Sequence, residues 1–223
     1  MVDDSFIREV DEQIRQDRAQ ELWAKYGYYV IALAVLIVVA TGAYRGWEYY
    51  RESQVAAAGD AYMAAVDESA SGDRQSTIDA LESVKENGFG EYPVLAEMRI
   101  AAGLAEGGDK ATAIQRYDAI ASDESYDPLF REIADLKAGL LAVDTEDYAA
   151  VEKRLSGLAE TGRPFRHSAR EALAIASIKA GNLQKAYEWL SPLAADSETP
   201  QGVRSRAQTM ISYLAGRGIP SAD

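Results

Sequence analysis

The sequence predicts an all-α protein in which one N-terminal transmembrane helix is followed by a solenoid of helix pairs. Three observations support this: a long uncharged apolar run, prolines and glycines that recur about every 36 residues, and the absence of strand-like alternation. We expect a tail at 1–25, a transmembrane helix at 26–44, and a juxtamembrane helix at 45–60 that leads into the first repeat. The repeat domain, with a terminal capping helix, is expected at 53–223.

The apolar run extends from Tyr26 to Tyr44, nineteen residues without Asp, Glu, Lys, Arg or His. As an α-helix at ~1.5 Å per residue it covers roughly 28 Å, close to the ~30 Å hydrocarbon thickness of a bilayer. It is too long for a cleaved signal peptide, and a polar tail precedes it. The alternative is a buried core helix of a soluble protein.

Aromatic residues flank the run at both ends, as expected for side chains at two membrane–water interfaces. Lys and Arg set the orientation: residues 6–25 contain four of them, whereas residues 45–64 contain two. This favours a cytoplasmic N-terminus and an exported C-terminal domain. The predicted interface anchors are Trp23, Tyr26, Tyr28 and Tyr29 at one end and Tyr44, Trp47, Tyr49 and Tyr50 at the other.

Composition excludes several classes of function. The net charge of −13 argues against nucleic-acid binding, which requires concentrated Lys and Arg. The chain has no cysteine, so disulfides, thiolate catalysis and cysteine-ligated zinc are excluded.

The exported part carries a repeat. Pro93, Pro128, Pro164 and Pro200 are spaced by 35, 36 and 36 residues, and each precedes or begins a helical apolar pattern. Glycines followed by Asp or Asn keep the same period, and we expect helices to end at Gly72, Gly108 and Gly181. Two helices per unit of 34–36 residues indicate a degenerate, tetratricopeptide-like solenoid. A plain helical bundle with accidental spacing is the alternative.

Small residues mark where the paired helices should touch. In the first helices these are Ala65, Ala101, Gly139 and Ala174, and in the second helices Thr77, Ala113, Val151 and Ala186. Apolar residues four and seven positions after each of the latter form an inward stripe. The predicted pairs are 53–88, 93–123, 128–160 and 164–196, closed by a helix at 201–215.

No catalytic constellation is present in the sequence. His167 is the single histidine, and its position favours a surface or first-turn residue. No phosphate-binding glycine loop, nucleophile elbow or calcium loop occurs. We therefore predict no enzyme activity, no metal and no cofactor.

Binding is the function that remains. The concave surface of a solenoid is lined by the first helix of each pair, although these residues could instead be buried against neighbouring helices. The candidate partner-binding residues are Leu95, Met98, Ala102, Ile133, Leu136, Leu140, Glu171 and Ile175.

The tail Asp11–Gly27 running into the span, and the stretch Leu95–Ile120 with its Gly108-Asp109 turn, resemble the ancillary SecYEG translocon subunit family. These are single-span inner-membrane proteins with tetratricopeptide-like repeats. The resemblance implies a bacterial inner-membrane protein with a periplasmic C-terminal domain, in contact with the SecYEG translocon. It also implies a periplasmic chaperone role toward exported unfolded polypeptides, and partnership with a membrane-anchored peptidyl-prolyl isomerase-like chaperone.

Two other functions stay open. The solenoid could be a structural scaffold of an envelope complex that never contacts unfolded chains. With reversed topology, it could be a regulator that binds a soluble cytoplasmic factor.

Overall fold

The computed structural model describes residues 3–69 and 73–219, with side chains from residue 20 onward. Within these ranges every regular element is an α-helix, so the predicted all-α fold is confirmed. Two compact units are present, Met1–Gln54 and Val55–Asp223. The helices are α1 (Asp3–Ser69), α2 (Arg74–Asn87), α3 (Tyr92–Glu106), α4 (Lys110–Ser122), α5 (Pro128–Thr145), α6 (Tyr148–Leu155), α7 (Arg166–Lys179), α8 (Leu183–Ala195) and α9 (Gln201–Ala215).

Helix α1 is unbroken over 67 residues. The predicted tail, span, juxtamembrane segment and first repeat helix are therefore parts of one helix. Among the residues with described side chains, the helical segment Gln20–Glu68 is the one that is long and apolar enough to cross a membrane.

The turns between helices follow the predicted chemistry where they are described. Gly108 and Gly181 have φ of +92° and +77°, a left-handed conformation that favours glycine. The Asp109 carboxylate caps α4 by accepting from the Thr112 N–H at 3.1 Å. Asn182 is the N-cap residue of α8, as the pattern favours, but its side chain makes no capping hydrogen bond. Gly72 lies outside the described residues.

The predicted prolines mark helix starts. Pro128 is the first residue of α5 and Pro93 the second of α3, where a missing N–H costs nothing. Pro200 is the N-cap of α9, and Pro164 precedes α7 by two residues.

The compact unit Val55–Asp223 contains three successive apolar clusters, as expected for stacked helix pairs. The first joins the end of α1 to α2 and α3, with Ala65, Leu81 and Ile100 at its centre. The second extends from α3 to α7, and the third packs α7, α8 and α9 together. Trp189 of α8 packs against both the second and the third cluster.

The predicted contact residues are all buried. The small residues of the first and second helices are buried, and so are the apolar residues of the inward stripes. The most exposed of their side chains is that of Thr77, at 8%. Gly139 is the tightest case, because a Cβ there would lie 2.3 Å from Cδ2 of the fully buried Leu155. The backbone of α5 therefore approaches α6 as closely as glycine allows.

Helix α6 is shorter than the predicted pair 128–160 implies. It ends at Leu155, and residues 156–159 continue as turns. Ser156 and Gly157, both poor helix formers, explain the early end. Leu158 nevertheless stays buried, at 4% exposure.

Candidate protein-interaction surface

The predicted concave residues lie on α3, α5 and α7, the first helices of three successive pairs. Two of them, Leu140 and Ile175, are 46% and 39% exposed. Each directly follows the small contact residue of its helix, Gly139 or Ala174, so the two hold equivalent places in neighbouring repeats. Helices α5 and α7 pack against each other. The repeat geometry thus presents an exposed large aliphatic side chain at the same place on two adjacent helices.

The other apolar residues of the predicted set are half-buried: Leu95, Met98, Ala102, Ile133 and Leu136. Met98 and Leu136 also pack against the central cluster. All five side chains leave part of their surface open.

Glu171 is engaged within the molecule. Its carboxylate accepts from Nε and Nη2 of Arg206, at 2.5 and 2.8 Å. Arg206 belongs to α9, so the capping helix is fastened to α7 by a bidentate ion pair. This pairing leaves Leu140 and Ile175 as the most exposed members of the predicted set.

A line of charges connects successive repeats. Lys110 of α4 and Lys179 of α7 donate to the two oxygens of Asp144, at 2.9 and 3.2 Å. The hydrogen bonds from Lys110 and then Lys179 lower the pKa of Asp144 below its usual value of 3.8. Lys179 also donates to the Val143 carbonyl at 2.6 Å.

In the N-terminal unit, the eight predicted interface anchors are 48–79% exposed. Trp23 lies over Gly27, where a Cβ would meet the indole at 3.2 Å. Lys25 Nζ lies 5.4 Å from the centre of the Tyr26 ring, and Trp47 stands 6.4 Å from Tyr50. These contacts are all between residues of α1, and each of the eight aromatic side chains stays largely exposed.

Sequence reasoning missed a layer of charges between the helices. Glu97 of α3 is 7% exposed, and its carboxylate accepts from Arg116 Nη1 at 3.0 Å and Lys85 Nζ at 2.9 Å. Arg116 also bonds to Glu82 at 2.9 Å. Although partial burial opposes it, the hydrogen bonds and charges of Arg116 and Lys85 lower the pKa of Glu82.

The third repeat also has an arginine that pairs with an acid of the preceding repeat. Arg154 of α6 pairs with Asp118 of α4 and with Glu146, its Nε lying 3.2 Å from Glu146 Oε2. Burial, followed by the nearby Asp118 carboxylate, raises the pKa of Asp135.

The signal for this layer is periodic. Glu97, Asp135 and Arg170 each lie four residues before the small contact residue of their helix, where the repeat pattern favours a bulky aromatic. Arg116 and Arg154 each lie three residues after the corresponding small residue of the second helix. Charge in register at both places indicates a polar layer between the helices, although the spacing does not tell which charges pair with each other.

The fourth repeat is built differently. Trp189 takes the place of the arginines, and its Nε1 donates to the Tyr148 hydroxyl at 3.2 Å. His167 lies in the first turn of α7, as expected, with Nε2 3.0 Å from Asp196 Oδ2. The hydrogen bonds from His167 and from the Glu198 N–H lower the pKa of Asp196 to about 2.

The side chains described above bring no nucleophile, base and oxyanion site together. Among the described residues, no group of three or more His, Cys, Asp or Glu side chains could hold a metal ion.

Comparison with known proteins identifies a family of helical repeats. The model of the tetratricopeptide repeat-like domain family covers residues 20–188. No curated protein and no solved structure matches the chain. The predicted tetratricopeptide-like fold is therefore confirmed, and the match indicates no enzymatic family.

Proposed function

The chain belongs to the tetratricopeptide repeat-like domain family, and on that premise we propose that it is a membrane-anchored protein-interaction module at the Sec translocon. There it assists exported proteins as part of a periplasmic chaperone network. Repeats of this kind are interaction scaffolds whose extended surfaces bind other polypeptides.

The observation that carries the proposal is the exposed apolar surface of α1. From Val30 to Val39 the large aliphatic side chains are 51–71% exposed. Apolar area left in water costs about 25 cal/mol per Å², so a continuous surface of this kind calls for a lipid or protein environment. The helix satisfies its own backbone hydrogen bonds and needs no water.

The membrane anchor in α1 makes a weak binding surface sufficient for function. Leu140 and Ile175 offer modest apolar area, which suits transient contact with unfolded chains. Anchoring beside the site where chains emerge raises the local concentration of both partners, so low intrinsic affinity is sufficient.

The positive charges of the tail support a periplasmic repeat domain. Arg8, Arg15 and Arg18 lie outside the residues with described side chains, so this orientation rests on the sequence. The SecYEG channel and a membrane-anchored isomerase-like chaperone are proposed as neighbours on the strength of the family resemblance.

Site-specific photocrosslinking in cells tests the proposal. A crosslinker at Ile37 or Val39 is expected to capture channel subunits, and one at Leu140 or Ile175 to capture exported chains during synthesis. Lys153, an exposed residue of α6, is the matched control and should capture neither. A single folded partner in place of exported chains would instead indicate a scaffold.

A reporter enzyme active in one compartment, fused after Asp223, tests the orientation. We expect activity from a periplasmic reporter and none from a cytoplasmic one. The opposite pattern would contradict the proposal and support a regulator of a soluble cytoplasmic factor.

A further inference from the structure

Arg170 differs from its counterparts in the other repeats. It takes the place that Glu97 and Asp135 hold in the preceding pairs, but with opposite charge. It is also only 9% exposed. A buried charge is normally paired, because desolvation otherwise makes it costly. Among the described residues no carboxylate lies within ion-pair distance of Arg170, whereas Glu97 has two cations.

Its hydrogen bonds use only part of the guanidinium. Arg170 Nε donates to the Ala159 carbonyl at 2.8 Å, and Nη2 donates to Thr161 Oγ1 at 3.3 Å. A guanidinium has five N–H donors. In the described part of the chain nothing accepts from Nη1, so one edge of the planar group is left for another acceptor.

Arg170 lines a cavity of about 480 Å³ between the turn after α6 and the turn before α9. Arg166, Thr161 and Pro192 line it as well, together with the acids Asp196 and Glu198. The Arg166 side chain is 14% exposed, and its Nη2 binds the carboxylate of Glu198, a side chain that is 75% exposed. An exposed surface carboxylate thus already lies on one of the two arginines.

We propose that this cavity, the Arg170 pocket, binds a carboxylate group of a partner polypeptide, which takes the free edge of Arg170 and displaces Glu198 from Arg166. Planar guanidinium groups fit carboxylates through paired N–H···O bonds. The pocket contains none of the eight predicted concave residues, so it is independent of the proposed function, and either can fail without the other.

The neighbouring charges decide the class of anion. Asp196 and Glu198 would repel a dianion such as phosphate, whereas a monoanion only replaces the charge that Glu198 brings. The Thr161 hydroxyl and the edge of Pro192 suit a small, partly apolar group. A carboxylate is the monoanion that polypeptides supply, either from Asp and Glu side chains or from the C-terminus.

The test uses the full chain in detergent micelles and NMR of its single histidine. The His167 ring contacts Asp196, which shares Arg166 with the pocket, so its resonances report occupancy. Four probes are titrated: acetyl-AAEAA-amide, acetyl-AAQAA-amide, and acetyl-AAAAA with a free carboxylate or as the amide. We expect saturable shifts with the charged probes only, and the stronger of the two identifies the source of the carboxylate.

Variants make the outcome specific. Arg170→Lys keeps the charge but loses the planar edge and should weaken binding by about tenfold, or 1.4 kcal/mol. Glu198→Gln removes the internal competitor and should strengthen binding by about threefold. Equal shifts from charged and neutral probes, no shift at all, or unchanged affinity in Glu198→Gln would each overturn the proposal. Because Glu198 is exposed, that variant remains decisive even if changes at Arg170 disturb folding.

Discussion

At one equivalent place in their second helices, the second and third repeats carry arginines that form ion pairs, whereas the fourth repeat carries an aromatic side chain. Arg116 and Arg154 hold equivalent places in α4 and α6, and each reaches back to an acid of the preceding pair, Glu82 or Asp118. At the same place in α8, Trp189 donates to Tyr148 and packs against two apolar clusters. One backbone repeat therefore accepts two chemically different connections between neighbours.

The difference extends to the charge of the whole unit. Residues 55–127 contain 15 acidic and 5 basic residues, whereas residues 128–219 contain 11 acidic and 12 basic ones. Arg116 and its acidic partners lie in the acidic half, and Arg154 reaches back into that half from α6, whereas the hydrogen bond of Trp189 lies wholly within the nearly neutral half. We therefore expect the two halves to respond differently to salt and to truncation of large side chains.

The largest effect should come from removing the aromatic connection. Trp189→Ala deletes contacts to two clusters, and truncation of a half-buried indole is expected to cost about 3 kcal/mol. Denaturant unfolding of the purified protein measures this cost. Trp189→Phe is the control, since it keeps a ring but not the hydrogen bond to Tyr148. Equal losses in both variants would show that the hydrogen bond, and not packing, makes the connection.

A smaller loss is expected from Gly139→Ala. The second and fourth repeats have alanine at this place, but in the third a Cβ would collide with Leu155, so overpacking should cost about 2 kcal/mol. Gly103→Ala is the matched control in α3. A Cβ there meets nothing within 4 Å, and we expect stabilisation by about 0.5–1 kcal/mol. Equal unfolding midpoints for the two variants would contradict the tight α5–α6 contact.

Breaking the ionic connection should cost less. Glu97→Gln leaves Arg116 and Lys85 with Glu82 as their remaining partner, so we expect a loss of about 1–2 kcal/mol. High salt should reduce this loss only slightly, because Glu97 is buried. The exposed Glu86→Gln serves as the control and should stay within about 0.5 kcal/mol of the parent chain. If the loss of stability in Glu97→Gln vanished in high salt, the ion pairs of Glu97 would be as screened by solvent as pairs at the surface, contrary to the prediction.

The smallest effect concerns pH at the end of the array. The hydrogen bond from His167, with that from the Glu198 N–H, lowers the pKa of Asp196 from 3.8 to about 2 in the folded chain. The ionised Asp196 carboxylate therefore contributes to the stability of the folded chain above pH 3.8, and this contribution is lost as the pH falls toward 2. Thermal unfolding at stepped pH should show a shallower acid slope for Asp196→Asn than for the parent chain. Parallel slopes would mean that Asp196 titrates alike in both states.

Local patterns predicted the fold well because they depend on neighbouring residues. The period of Pro128 and Gly108 marks where helices start and stop, and Ala113 or Leu190 falls inward by helical spacing alone. The charges could not be placed in this way. Whether Glu97 meets Arg116, 19 residues away, or Glu171 meets Arg206, 35 residues away, depends on how the helices stack. The helix positions of the candidate residues could therefore be read from the sequence, but not that Glu171 would pair with Arg206 within the molecule.

The ion pairs between successive second helices have a consequence for the length of the array. Asp118 of α4 pairs forward with an arginine at the place that Arg116 itself occupies one repeat earlier. A tandem copy of residues 92–127 would thus bring its own acid and arginine into the correct register with the original. Duplication of this segment would therefore lengthen the solenoid, and its surface, with the same ion pair at the new junction.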